Sequence, residues 1–209
     1  MRTLLQLSTS LFSHEGQSSR LADQFVAEWR EANPDGDVVA RDLARTPVPH
    51  LTGERFQAFL TKPEDRTDAQ RADAQVSDAL VEELRRADTL VIGLPMYNFG
   101  VPSTLKAYFD HVARAGITFR YTANGPEGLL KGKKVYVFAT RGGLYAGTAK
   151  DTQTAYVRDF LAFLGMTDVE FVYAEGLAMG DAVRNPALEK AAVAAQLLAR
   201  VQPALRLVA

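Results

Sequence analysis

Thr89-Leu90-Val91-Ile92-Gly93-Leu94 is an unbroken apolar run near the middle of the chain, and it leads directly into Pro95-Met96-Tyr97-Asn98-Phe99. A short apolar run that ends at turn residues is typical of a strand buried on both faces of a sheet. Ser103 follows closely and is a good helix N-cap, so a helix is predicted after the loop. This strand–loop–helix unit indicates an α/β fold with a parallel sheet.

The same unit recurs on both sides of the central run. Strands are predicted at 4–7, 38–43, 89–94, 135–139 and 169–174. Helices are predicted at 18–31, at 68–86, from 103, at 151–164 and at 187–201. Five strands that alternate with five helices predict a parallel sheet covered by helices on both faces. Because no repeat or internal boundary interrupts this pattern, we expect residues 1–209 to form a single domain.

Two segments do not fit the alternation. Residues 44–67 hold three prolines and one glycine and are too long for an ordinary connection. Long connections of this kind are usually functional, so this one is interpreted as lid-like or interface-forming. Residues 116–132 are rich in glycine and aromatic residues and carry no predicted strand or helix.

The composition excludes several kinds of chemistry. The chain has 209 residues, a formal net charge of -1 and no cysteine. Disulfides, thiol catalysis and cysteine-ligated metal centres are therefore excluded, so redox chemistry would need a bound organic cofactor. The three histidines lack metal-ligand spacing, and the mixed charges give no footprint for nucleic acid or a membrane surface. We expect no metal site, no nucleic-acid partner, no membrane association and a cytoplasmic location.

In an open parallel sheet, ligands bind beyond the carboxyl ends of the strands. Unusual loops follow predicted strands 1, 3 and 4, which are neighbours if the sheet order is 2-1-3-4-5. The first of these loops, 8–19, offers hydroxyl donors at Ser10 and Ser18, and Gly16 allows close approach. The N–H groups of the helix that follows suit a phosphate, although a serine-rich helix start would explain the loop equally well.

The other two loops suit a flat ring. The aromatic–amide–aromatic sequence at 95–99 can contact an isoalloxazine ring, and the alternative is a proline-flanked turn whose aromatics close the core. Thr140-Arg141-Gly142-Gly143 has paired glycines whose N–H groups suit the pyrimidine carbonyl edge of a flavin, although a plain strand-to-helix turn would also explain it. Together, on neighbouring strands, the three loops predict a flavin mononucleotide (FMN) site.

Longer stretches resemble a known family. They are 95–99, 113–121 with 124–129, 140–143 and Ala174-Glu175-Gly176. In these stretches the chain resembles the FMN-dependent NADH-azoreductases, bacterial NAD(P)H:quinone oxidoreductases, and the resemblance extends over essentially the whole chain. It implies a three-layer, flavodoxin-like, doubly wound, five-stranded parallel sheet of order 2-1-3-4-5. It also implies a homodimer with its active sites at the subunit interface.

The resemblance assigns roles to individual residues. It implies a tightly bound FMN, with the phosphate and ribityl end held by Ser10, Gly16, Gln17 and Ser18, the ring by Met96, Tyr97, Asn98 and Phe99, and the pyrimidine edge by Thr140, Arg141, Gly142 and Gly143. It implies an acceptor pocket shaped by Phe99, Tyr121, Tyr145 and Phe163, some of them from the partner subunit. Two positions depart from the family: Gly16, where serine is common, and Tyr145, where histidine is common.

The reaction that the resemblance implies is the two-electron reduction of a quinone or an azo compound by NADH or NADPH. We expect a ping-pong order, in which the nicotinamide gives hydride to flavin N5 and leaves before the acceptor binds, and no catalytic side chain. One alternative is a flavodoxin-type electron carrier, which would be expected to be strongly acidic. Another is a hydrolytic or phosphate-binding module, but a G-x-S-x-G nucleophile elbow is absent.

Overall fold

The run at 89–94 forms the middle strand of a five-stranded parallel sheet in the computed structural model, which describes residues 2–200. The strands in chain order are β1 (Thr3–Ser8), β2 (Asp37–Asp42), β3 (Thr89–Pro95), β4 (Phe119–Thr122), β5 (Gly125–Gly128), β6 (Lys134–Thr140) and β7 (Asp168–Ala174). The sheet order is β2-β1-β3-β6-β7, and every neighbouring pair is parallel. Counted among the strands of this sheet alone, the order is 2-1-3-4-5, so the predicted α/β fold is confirmed.

Helices cover both faces of this sheet. In chain order they are α1 (Gln17–Ala32), α2 (Gly53–Leu60), α3 (Asp68–Arg86), α4 (Ser103–Val112), α5 (Thr152–Phe163) and α6 (Asp181–Arg200). Phe25 of α1 belongs to the same buried cluster as Val91, together with residues of α6. Phe109 of α4 belongs to the opposite cluster with Ile92, together with residues of α3 and α5. Neighbouring residues of β3 thus enter different cores, which is why the whole run is apolar.

The segment 44–67 contains a helix, α2, that the sequence did not predict. Thr52 caps it by accepting a hydrogen bond from the Arg55 N–H at 3.3 Å, and Ala58 is its buried residue. Arg55 pairs with Asp73 of α3 at 3.1 Å, which fixes the helix on its neighbour. A mostly exposed helix of eight residues leaves too little apolar periodicity for a prediction. The described residues therefore hold six α-helices, not five, and a lid or interface role for this segment stays a prediction.

Two other elements also differ from the prediction. Within 116–132, β4 and β5 form an antiparallel hairpin. It was not predicted from the sequence, because strands of only four residues are too short to show a clear alternating pattern. α6 begins at Asp181 and not at 187, although Pro186 lies inside it. The Gly180 carbonyl accepts hydrogen bonds from the N–H groups of Val183 and Arg184, and an acidic residue in the first turn favours a helix start. The predicted end at Val201 lies outside the described residues.

Candidate functional site

Three loops follow neighbouring strands of the sheet. The first loop is 9–16 after β1, the second loop is 96–102 after β3, and the third loop is 141–151 after β6. Because β3 pairs with β1 on one side and with β6 on the other, the carboxyl ends of these strands are adjacent. The three loops therefore lie side by side at one edge of the sheet, which we call the carboxyl edge.

Hydrogen bonds join the second loop to its neighbours. The Met96 N–H donates to the Thr140 carbonyl oxygen at 3.0 Å, which links it to the end of β6. The Tyr97 hydroxyl accepts from the Leu11 N–H at 3.1 Å and lies 3.3 Å from the Ser10 hydroxyl. The Tyr97 hydroxyl thus joins the first and second loops. From the sequence, only a contact between Tyr97 and the flavin ring was predicted.

The start of α1 lies tightly against β3. A Cβ added to Gly93 would lie 2.9 Å from the Ser18 carbonyl oxygen, so glycine permits this approach. The N–H groups in the first turn of a helix have no intrahelical acceptor. At the start of α1 the capping residue is Gly16, so no capping side chain accepts from them either. Ser18 and Ser19 are fully buried, and their hydroxyl oxygens have no hydrogen-bond partner among the described residues. Unpaired donors at a helix start are suited to binding an anion.

Gly16 also makes room for Ser10. A Cβ added at Gly16 would lie 2.1 Å from the Ser10 Oγ, a distance that the two atoms cannot adopt. Ser10 is buried, and its Oγ accepts from the Phe12 N–H at 3.2 Å. Gln17 is the half-buried first residue of α1. With the Ser10 hydroxyl in this place, any residue larger than glycine at position 16 would clash with it.

The second loop holds a strained turn at its tip. Asn98 and Phe99 have φ values of 50° and 64°, in the left-handed region that side chains disfavour. Reciprocal backbone hydrogen bonds of 3.2 and 2.9 Å between Tyr97 and Gly100 close this two-residue turn. Gln153 of α5 supports the turn by donating to the Gly100 carbonyl at 2.9 Å. The Asn98 and Phe99 N–H groups have no acceptor within residues 2–200, and such strain typically marks functional sites.

In the third loop, the first three carbonyl groups accept hydrogen bonds, whereas two N–H groups have no acceptor among the described residues. The carbonyls of Arg141, Gly142 and Gly143 accept hydrogen bonds of 3.0 to 3.1 Å from backbone N–H groups of residues 176–178. The Arg141 N–H donates to the Ala174 carbonyl at 3.0 Å. The N–H groups of Gly142 and Gly143 have no acceptor in the part of the chain that the structure describes. A fixed backbone with free donors suits a carbonyl oxygen or an anionic ring edge.

The Arg141 side chain is buried within the protein. Its guanidinium is 2.7 Å from the Asp151 carboxylate and 3.1 Å from the Glu175 carboxylate. Burial opposes ionisation of Asp151, but hydrogen bonds from Arg141 and Thr154 outweigh it and hold the pKa of Asp151 below its usual value. Arg141 therefore supports the loop, and the free donors beside it belong to Gly142 and Gly143.

Phe99 and Tyr145 form an aromatic pair across the second and third loops. Their ring centroids are 5.6 Å apart, and the rings meet at 65°. Phe99 is 49% exposed, so its ring is available to a ligand. The Tyr145 N–H donates to Glu175 Oε1 at 2.9 Å, which anchors the third loop next to this ring. The pair forms an apolar wall at the carboxyl edge.

The remaining predicted acceptor residues, Tyr121 and Phe163, lie elsewhere in the chain. Phe163 packs on Phe119 with ring centroids 4.3 Å apart, and Phe119 meets Tyr121 edge-on at 5.5 Å. We call these three residues the amino-edge cluster, because α4 and α5 start at the carboxyl edge and run back to the opposite edge. Tyr121 is 76% exposed. Within one chain, the structure does not bring Tyr121 and Phe163 to Phe99.

Three residues of the carboxyl edge were not predicted as site residues: Gly93, Gln153 and Glu175. A glycine inside an apolar strand signals close backbone approach, so Gly93 carried a readable signal. Glu175 follows a predicted strand, but its partners come from residues about thirty positions earlier. Gln153 carried no sequence signal, because its contacts are to backbone carbonyls of another loop.

The described residues were expected to hold neither a metal site nor a membrane span. In residues 2–200, no three histidine, aspartate or glutamate side chains stand close enough together to hold a metal ion. None of the helices in that range combines the length and the apolar character needed to cross a membrane.

The fold and the loops at its carboxyl edge define the class of this protein. A family model described as "Flavodoxin-like fold" matches residues 2–198, so the chain belongs to that family. More narrowly, it belongs with the FMN-dependent NADH:quinone oxidoreductases. It is 55% identical over 180 residues to the one from Cellvibrio japonicus, covering 86% of this chain and 90% of that protein. It is 53% identical over 188 residues to FMN-dependent NADH:quinone oxidoreductase 6 of Burkholderia lata, covering 90% and 95%.

Solved structures agree with this assignment. The azoreductase from Bacillus anthracis strain Sterne superposes with a TM-score of 0.88 at 28% identity, covering 96% of this chain and 99% of that one. An FMN-dependent NADH-azoreductase from Bacillus anthracis strain Ames Ancestor, solved in complex with FMN, has a TM-score of 0.85 at 26% identity, covering 95% and 100%. The resemblance predicted from the sequence motifs is therefore confirmed.

Proposed function

We propose that this chain is an FMN-dependent oxidoreductase that passes two electrons from NADH or NADPH to quinones and azo compounds. The observation that carries the proposal is a set of N–H groups at the carboxyl edge that have no acceptor among residues 2–200: those at the start of α1, at Asn98 and at Gly142 with Gly143. The names of the relatives, FMN-dependent NADH:quinone oxidoreductases and an azoreductase in complex with FMN, support it.

The first loop and the start of α1 fit the phosphate and ribityl end of a tightly bound FMN. The free N–H groups of the first turn attract an anion, and the unpartnered Ser18 hydroxyl adds a donor. Ser10 and Gln17 border the same helix start, and Gly16 leaves room for the Ser10 hydroxyl beside it. Because no lysine or arginine occurs between residues 3 and 19, neutral donors meet the phosphate charge.

The second and third loops fit the flavin ring. Met96, Tyr97 and Phe99 line the turn, and the free Asn98 N–H is the donor we assign to flavin N5. Thr140 ends β6 and accepts from Met96, and the third loop continues to the paired glycines. We assign the free N–H groups of those glycines, beside the backbone of Arg141, to the pyrimidine edge.

When bound, FMN would supply the redox chemistry, as the two-electron carrier between a nicotinamide and the acceptor. The chain's own residues bind the ring, hold its edge with N–H donors and offer the wall of Phe99 and Tyr145 to flat reactants. Because one wall serves both reactants, nicotinamide and acceptor bind in turn, which is a ping-pong order. No side chain needs to act as acid, base or nucleophile.

A stopped-flow experiment tests the proposal. Purified protein loaded with FMN is mixed anaerobically with NADH and, separately, with NADPH, and the flavin absorbance is followed. We expect bleaching without any added reductase, and recovery of the absorbance when a benzoquinone or a monoazo dye is added. Bleaching only after addition of a separate reductase would favour the flavodoxin-type electron carrier instead.

We further propose a homodimer in which each amino-edge cluster completes the partner's site. Tyr121 is 76% exposed and lies at the opposite edge from Phe99, so within one chain it does not reach the carboxyl edge. A second copy can bring Tyr121 and Phe163 to the wall of Phe99 and Tyr145. The quinone or azo acceptor would then lie between the two subunits.

Complementation between two variants tests the homodimer. Gly93→Val damages the start of α1, and the double variant Tyr121→Ala, Phe163→Ala damages the amino-edge cluster. A mixed dimer contains one site built from two undamaged parts. We expect each variant alone to be nearly inactive and the refolded mixture to regain activity, with dimers seen by sedimentation. Monomers, or no regain, would contradict this part of the proposal.

Two remaining expectations concern the extent of the domain and its location. We propose that residues 1–209 form one domain, because the sheet uses strands from both halves of the chain. We also propose a cytoplasmic location, which cell fractionation would test.

A further inference from the structure

We propose that Glu175 is a positioning residue that holds the third loop in place before any flavin arrives. Its carboxylate oxygen Oε1 accepts three hydrogen bonds, from the Arg141 guanidinium at 3.1 Å and from the Tyr145 and Ala146 N–H groups at 2.9 Å each. One side-chain atom thus ties both ends of the segment 141–146. The inference rests on the proposed FMN site at Gly142 and Gly143.

The carboxylate is itself held in place. Glu175 is only 14% exposed, and the Arg141 side chain that pairs with it is completely buried. Arg141 also donates to Asp151 at 2.7 Å and to Thr154 at 3.1 Å, at the start of α5. Because several fixed partners hold the guanidinium in place, Arg141 keeps the Glu175 carboxylate in place as well. The loop is then held against this carboxylate.

The consequence concerns the two free donors. The segment between Arg141 and Tyr145 contains Gly142 and Gly143, whose conformational freedom would let their N–H groups turn away from a ligand. Fixing both flanks reduces that freedom before binding. Preorganised donors bind more tightly because less ordering remains to be done in the complex. Glu175 also sets Tyr145 beside Phe99, so it fixes one side of the aromatic wall.

Reach and charge can be separated by two conservative substitutions. Glu175→Gln removes the charge but keeps an oxygen at the same reach, whereas Glu175→Asp keeps the charge but is one methylene shorter. If Glu175 positions the loop through its reach, Glu175→Asp loses the hydrogen bonds from the N–H groups of Tyr145 and Ala146. Glu175→Gln keeps them.

Two readouts test this on the full-length chain. The first is hydrogen exchange of the backbone at 142–146 without flavin, which we expect to quicken in Glu175→Asp and to stay near wild type in Glu175→Gln. The second is the affinity for lumiflavin, a ring without ribityl or phosphate. We expect it to fall roughly tenfold in Glu175→Asp and to stay within about twofold in Glu175→Gln.

Glu83→Asp is the matched control. Glu83 also pairs with an arginine, Arg41, at 2.5 and 2.9 Å, but on α3 and β2, away from the third loop. It should leave exchange at 142–146 and lumiflavin affinity unchanged. Equal effects of Glu175→Gln and Glu175→Asp, or none in Glu175→Asp, would overturn the inference. Wild-type protein that binds neither FMN nor lumiflavin would overturn the proposed function, and the exchange data would still decide the role of Glu175.

Discussion

The two edges of the sheet differ in how their polar groups are used. At the carboxyl edge, the N–H groups of Asn98, Gly142 and Gly143 have no acceptor in the described part of the chain, and the turn at 98–99 is strained. At the amino edge, the hairpin of β4 and β5 pairs its backbone in an ordinary antiparallel ladder. Its exposed feature is an aromatic side chain, Tyr121.

The two edges of one chain are therefore suited to different kinds of contact. The carboxyl edge offers donors for a polar ligand, and the amino edge offers an exposed aromatic ring. Strained, unsatisfied backbone is costly and persists at functional sites. Aromatic side chains such as that of Tyr121 are enriched in protein interfaces. Substitutions at the two edges test this difference.

Gly93→Val should damage the carboxyl edge most. Added side-chain atoms would meet the Ser18 carbonyl at 2.9 Å and the Ser19 nitrogen at 3.3 Å, and backbone cannot move aside. We expect the start of α1 to shift, FMN affinity to fall more than about tenfold, and the free energy of unfolding to fall by about 2 kcal/mol. Equilibrium FMN titration and urea unfolding measure both. Gly53→Ala, at a glycine with open space around it, is the control: it should leave FMN affinity unchanged and should not lower the free energy of unfolding.

Tyr97→Phe should have a smaller effect confined to the first loop. The lost hydroxyl no longer accepts from Leu11 or contacts Ser10, so the phosphate side of the site loosens while the ring contact remains. We expect FMN affinity to fall about fivefold and lumiflavin affinity to change little. Tyr121→Phe at the amino edge is the control. An equal loss for both ligands would show that Tyr97 acts on the ring alone.

His111→Gln should affect stability and leave the flavin site alone. His111 Nε2 lies 2.9 Å from the Pro49 carbonyl oxygen and ties the end of α4 to the segment before α2. Burial lowers the pKa of His111 below its usual value, and the bond to Pro49 only partly opposes this. The folded state thus favours the neutral ring, so this stability is present above the unfolded pKa of about 6.5 and is lost as pH falls through the folded pKa.

Urea unfolding of wild type and His111→Gln at pH 8 and pH 5.5 measures this effect. At pH 8 we expect the variant to be less stable by about 1 kcal/mol, and the gap should narrow at pH 5.5. His50→Gln, at an exposed histidine, is the control and should leave the free energy of unfolding at pH 8 unchanged. A gap that widens on acidification would contradict the assignment, and unchanged FMN affinity is expected throughout.

Several elements of the fold were predictable because their signals are local. The run at 89–94 predicted β3, and the helix predicted at 68–86 is α3, whose start the structure shows to be closed by a capping box between Thr67 and Gln70. The hairpin at 119–128 and α2 were missed, because short elements that are half exposed leave weak periodicity. The helix predicted from 187 begins earlier, at Asp181, and contains Pro186.

Local signals in the sequence were enough for the α/β class and the three loops, because apolar runs and turn residues act within a few positions of one another. The sheet order was expected only from the family resemblance, and strand pairing confirmed it. Which N–H groups of those loops lack an acceptor within residues 2–200 became clear from the tertiary structure. The Arg141 guanidinium is engaged with Asp151 and Glu175, the Tyr97 hydroxyl reaches Ser10, and Tyr121 lies at the far edge from Phe99. Each of these facts depends on a partner brought close by strand pairing or by a returning helix, and no local pattern contains that partner.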